Sequence, residues 1–159
     1  MISPKHIFLF LFFISRVLHA EAQDRPIGYW RSHLPYNSVI GVAAHGSNLY
    51  AIGTKAFFTL NGADLNAGPV PYSKVEGMAD IGMQSVAYDQ ITGTTVLVYA
   101  NGNIDLFKEK EGTFYNVPDF KIKSISGTKS VNGVFAENGI AYISTSIGIL
   151  VVDLSTYSI

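Results

Sequence analysis

The chain has 159 residues, a formal charge of −1, an apolar share of 48% and no cysteine. This balance excludes a phosphate-neutralising surface of clustered Lys and Arg, so nucleic acid is not an expected partner. Lack of cysteine excludes disulfide staples, thiolate chemistry and cysteine-ligated metal, which leaves stability to a packed core.

Residues 1–22 read as a secretory leader. Lys5 and His6 give a positive start, Ile7 to Ser15 an apolar stretch, and Ala20-Glu21-Ala22 the small-x-small pattern of a cleavage site between Ala22 and Gln23. As a membrane span the stretch is too short, because ~20 apolar residues are needed, and Arg16 interrupts it. Loss of Lys5, Arg16 and Glu21 takes the formal charge from −1 to −2.

From residue 23 onward the chain reads as all-β, because apolar and β-branched runs alternate with clusters of Gly, Asn, Asp and Ser. Tyr29 to His33 is placed as an outer strand that closes the last sheet of a ring. Three repeats follow, over residues 38–75, 84–117 and 130–159. The first and third are closest, SVIGVAAHGSNLYA from Ser38 against SVNGVFAENGIAYI from Ser130. Val42, Val86 and Val134 recur at 44 and 48 residues, and Phe57, Ile104 and Ile149 at 47 and 45. That period suits the four-stranded blades of a propeller, which repeat every ~40–50 residues.

Each repeat is expected to give strands a, b and c, joined at tight turns such as Asn101-Gly102 and Asn138-Gly139, and then an outer strand at Val70 to Val75 and Thr113 to Val117. The expected fold is therefore all-β: the first three four-stranded blades of a seven-bladed propeller, truncated in the third. Three blades leave an unpacked apolar face on each side, which marks the chain as part of a longer protein. A self-sufficient β-sandwich is the alternative fold.

Signals of chemistry are sparse. His33 and His45 have no partner at metal-ligand spacing, and no nucleophile elbow or Walker loop is present. Asp64, Asp80, Asp89, Asp105, Asp119 and Asp153 are scattered, and Asp89 and Asp153 read as turn starters. No catalytic residue, metal or cofactor is expected. The turns that share one end of a propeller are the entries to strand a (34–37, 77–83 and 125–129) and the b–c turns (54–55, 101–103 and 145–147). Their candidates for ligand contact are Tyr36, Asn37, Lys55, Asn103 and Lys129, with Met83 beside them.

The stretch IGYWRSHLPYNS from Ile27, directly after the leader, resembles the opening of the PorZ family of Bacteroidetes type IX secretion. So do LYAIGTKAFFTL from Leu49, PYSKVEGMADIGMQSVAYD from Pro71 and SVNGVFAENGIAYISTSIGILVVDL from Ser130. The resemblance implies two propellers and a terminal β-domain on the outer-membrane surface. It also implies a non-enzymatic role in an attachment complex with a sortase-like protease and an outer-membrane barrel, presenting anionic lipopolysaccharide to the sortase. No binding residue carries over from it. The rival reading is a ligand-sensing periplasmic propeller of a hybrid two-component regulator, and a carbohydrate-active propeller enzyme is a third. The reading frame past Ile159 separates the first two.

Overall fold

A computed structural model describes residues 38–159. The leader, its cleavage point at Ala22 and Gln23, the closing strand at 29–33 and the candidates Tyr36 and Asn37 lie outside the described residues.

Among the described residues eleven strands form three antiparallel sheets in chain order. The first sheet holds β1 (Val39–His45), β2 (Asn48–Gly53), β3 (Phe57–Asn61) and β4 (Val70–Tyr72). The second holds β5 (Met83–Asp89), β6 (Thr94–Tyr99), β7 (Ile104–Lys108) and β8 (Thr113–Val117). In the third are β9 (Val131–Glu137), β10 (Ile140–Thr145) and β11 (Gly148–Asp153). Within each sheet, every strand after the first pairs with its predecessor, the meander of a propeller blade. The repeat extends to a fault in the ladder. All three inner strands slip register at their second residue, between Val39 and Gly41, Met83 and Ser85, and Val131 and Gly133.

Local chemistry sets the ends of these elements. Asn138 and Gly139 both have positive φ, at 55° and 82°, as a two-residue hairpin of the tightest type requires. Asn101-Gly102 differs from the expected tight pair. Only Gly102 has positive φ there, its N–H donates to Tyr99 O at 2.9 Å, and Tyr99 N–H donates to Asn103 O at 3.0 Å. The result is a three-residue loop in which glycine supplies the left-handed step.

The outer strand of the first sheet ends at Tyr72, before the expected Val75. Ser73 caps a 3-10 turn at Lys74–Glu76: its Oγ accepts from Val75 N–H, and Glu76 accepts from Ser73 N–H at 2.7 Å. This capping box diverts the chain from the sheet. A short helix, α1 (Asp119–Ile122), stands where only loop was expected.

Two cores lie between consecutive sheets. Tyr50, Ile52, Phe57, Met78, Met83, Leu97, Tyr99 and Phe107 fill the first. Its aromatic rings interlock, with Phe57 edge-on to Phe107 at 5.3 Å and Phe107 against Phe114 at 4.6 Å. Val96, Val98, Ile104, Leu106, Ala141, Ile143, Val152 and Leu154 make an aliphatic second core. Both faces of the middle sheet are therefore covered, which explains why β6 reads buried at every residue.

Candidate binding face

In an up-and-down sheet the b–c turns and the connections to the next sheet gather at one end. Here backbone bonds lace them together. Gly82 N–H donates to Thr54 O and Ala100 N–H to Gly82 O, each at 2.9 Å, so the turn of the first sheet, the entry to the second and the turn of the second run side by side. In the third sheet, Ser146 Oγ accepts from Ser130 N–H at 3.1 Å and donates to Thr128 O at 2.5 Å.

Asp80 ties this end crosswise. It accepts from Asn101 Nδ2 at 2.6 Å and from Lys121 Nζ at 2.7 Å, joining the 77–83 loop, the β6–β7 turn and α1. Partial burial pushes its carboxyl up. Hydrogen bonds from Lys121, Asn101 and the Ile81 N–H outweigh that and bring it down to about 2. Under this surface Asp105 Oδ2 accepts from Tyr99 Oη at 2.5 Å and from Ala79 N–H at 2.9 Å, while Oδ1 accepts from Asn116 Nδ2 at 2.9 Å. Burial, then the Asp105 charge and hydrogen bond, raise Tyr99 far above the usual tyrosine range.

The sequence candidates fare unequally. Lys55 is exposed in the β2–β3 turn. Asn103 is only 2% exposed, and its Oδ1 accepts from Asn116 Nδ2 at 2.9 Å, so it supports the turn from beneath. Met83 is a core side chain. Lys129 donates to Phe120 O at 2.9 Å, Lys121 O at 2.8 Å and Lys123 O, and lies over the Phe120 ring. Three carbonyls at the C-terminal end of a helix consume its three donors, so Lys129 caps α1. Reasoning from sequence also missed Asp80, Asn101 and Lys121; the Pro118-Asp119 pair, a helix-start signal, could have located α1 and with it Lys121.

Five lysines stand at this end against Glu76, Asp80 and Asp119: Lys121 is paired with Asp80 and Lys129 caps α1, which leaves Lys55, Lys74 and Lys123 exposed. The opposite end carries Asp64, Asp89, Glu109, Glu111, Glu137 and Asp153 against Lys108 and Lys110. Most carboxylates have backbone duties. Asp64 accepts from Asn66 N–H at 3.1 Å, Asp89 from Thr92 N–H at 2.8 Å and Gly139 N–H at 3.0 Å, and Asp153 from Ser155 N–H at 2.7 Å. Among the described residues no three His, Asp or Glu side chains gather as a metal site, and no helix is long and apolar enough to cross a membrane.

The family described as TSS9, PorZ, N-terminal beta-propeller domain matches residues 49–159. The chain belongs to this family. Among solved structures it is similar to PorZ, an essential surface component of the type IX secretion system of Porphyromonas gingivalis. That match has a TM-score of 0.69 at 21% identity, over 76% of this chain and 16% of that one. The extracellular domain of BT4673 from B. thetaiotaomicron, described as a hybrid two-component system, is similar with a TM-score of 0.60 at 15% identity, over 84% and 17%. Apo AztD from Citrobacter koseri gives 0.54 at 16% identity, over 77% and 32%. At these identities the likenesses show the fold, and the chain spans about a sixth of the PorZ structure. No curated protein sequence matches it. The PorZ match and the three meander sheets together confirm the propeller expected from the repeat, with a third blade of three strands in the described residues.

Proposed function

We propose that the chain is the exported start of a non-enzymatic surface component of the type IX secretion system. On this reading it belongs to an attachment complex with a sortase-like protease and an outer-membrane barrel, and helps present anionic lipopolysaccharide to the sortase. The family match over residues 49–159 carries the reading. The leader at residues 1–22 supports export. The lysine-bearing end supports an anionic ligand: Lys55, Lys74 and Lys123 are exposed there on turns held by backbone bonds, and their ammonium groups make no hydrogen bond among the described residues.

Deleting the gene in its own host tests the role. Cargo should lose its lipopolysaccharide anchor and leave the cell surface, and unchanged anchoring would refute the assignment. The site is tested in the full-length protein carrying Lys55→Glu, Lys74→Glu and Lys123→Glu together. Binding to purified anionic lipopolysaccharide should weaken about tenfold or more and lose much of its salt dependence. Undiminished binding would move the site off this end while leaving the secretion role intact.

A further inference from the structure

The connections at the lysine-bearing end also present aliphatic side chains to solvent. Val75 is 82% exposed, Ile81 58%, Ile122 73% and Ile147 48%. Scattered singly they would call for no explanation, but the bonds that lace this end gather three of them. Ile81 follows Asp80, whose carboxylate holds Lys121 at 2.7 Å, and Ile122 follows Lys121. Lys129 Nζ donates to the carbonyls of Lys121 and Lys123, on either side of Ile122. Ser130, next in the chain, accepts from Ser146 N–H at 3.0 Å, and Ile147 follows Ser146. Each isoleucine is thus one residue from a member of a single bonded series.

Lysines stand among these side chains. Lys74 precedes Val75, Lys121 and Lys123 flank Ile122, and Lys55 is exposed on the turn that bonds through Thr54 to Gly82, beside Ile81. The opposite end of the sheets is acidic, with Asp64, Glu111 and Glu137 exposed, so a negative surface would attract one end and repel the other. A protein partner is the poorer match. The centres of protein interfaces are enriched in aromatic residues, Met and Arg and depleted in Lys. Here the exposed apolar side chains are all aliphatic, and the cations beside them are all lysines. A lipid surface has a place for each part: aliphatic side chains enter between head groups, while lysine stems lie along them and carry the ammonium to phosphate.

We propose that this end docks on an anionic lipid surface, with Ile81, Ile122 and Ile147 set into the head-group layer and Lys55, Lys74 and Lys123 on the phosphates. The acidic end is then turned away from that surface. The proposal rests on the reading of this end as the anion-binding one. It adds that contact with lipid chains, beyond sugar or phosphate alone, contributes to the hold.

The test uses the full-length protein with vesicles of phosphatidylcholine alone or mixed with phosphatidylglycerol, neither of which holds lipopolysaccharide. A polarity-sensitive dye on Ile122→Cys should shift to the blue on mixed vesicles and stay unchanged on phosphatidylcholine alone. The same dye on Ser155→Cys, exposed at the acidic end, should respond to neither. Ile122→Ser with Ile147→Ser should weaken binding to mixed vesicles about tenfold or more, and leave the affinity for delipidated anionic polysaccharide at the wild-type value. No shift at residue 122, an equal shift at residue 155, or vesicle binding untouched by the two serines would overturn the proposal. A dye at residue 122 already shielded without vesicles would overturn it too, and would assign the face to a protein contact. If vesicle binding fails while wild type still binds the polysaccharide, the anion-binding reading of this end stands without the lipid. If wild type binds neither, both fall.

Discussion

Asp105 is the most demanding residue in the described structure, because its carboxylate is fully buried and survives only through its donors. Tyr99 supplies one from the neighbouring strand, Ala79 N–H another from the loop entering β5, and Asn116 a third from β8. The group therefore holds that loop to its sheet. Tyr99→Phe keeps the ring and removes one donor from the buried oxygen, and should cost about 1–3 kcal/mol in denaturant unfolding of the full-length protein. Thr95 is the converse case. Its buried Oγ1 has no hydrogen-bond partner among the described residues. Thr95→Val replaces it with a methyl of similar size and should raise stability by about 1 kcal/mol, measured the same way. A loss instead would show that the hydroxyl is satisfied in solution.

Among elements, the β6–β7 turn and α1 depend on each other through one glycine. Gly102 has φ of 83°, and a Cβ there would lie 2.8 Å from Cδ1 of Phe120, the buried side chain of α1. Gly102→Ala meets both a left-handed backbone and a ring, and should destabilise by about 1–3 kcal/mol while loosening amide protection across residues 119–123. Strands were readable in the sequence because each is bounded by its own turn residues. Val131 to Glu137 and Gly148 to Asp153 needed only period and punctuation. The candidate site was less readable, since its residues take their roles from distant partners. Asn103 looks like an exposed turn amide until Asn116, 13 residues on, takes its oxygen. Lys129 looks like a free cation until α1 folds beneath it. Lys55 was legible because a charged residue in a three-residue turn between buried strands turns outward, while Ala56 beside it takes the buried place.

On the scale of the molecule, the sheets are joined mainly by apolar packing, and a few carboxylates fix how they meet. Asp89 crosses from the second sheet to the Gly139 N–H of the third, while Asp80 ties the entry loop of the second sheet to α1. For Asp89, burial raises the carboxyl, but bonds from Gly139 and Thr92 outweigh it and leave it lowered; Asp80 is lowered to about 2. A carboxyl lower in the folded than in the unfolded state stabilises the fold above its unfolded value of ~3.9, and that stabilisation fades as pH falls through the folded value. The melting temperature of the full-length protein should therefore drop between about pH 4 and pH 2, beyond any general acid effect. The control is the double variant Asp80→Asn and Asp89→Asn, which cannot ionise at either position. Near neutral pH it should melt below wild type, because Asn turns an N–H toward donors that Asp accepted. As pH falls toward about 2 the two curves should converge, since wild type loses the same charges by protonation. A gap that stays constant down to that pH would mean the two carboxylates act through shape alone, with their charge contributing nothing to how the sheets are held.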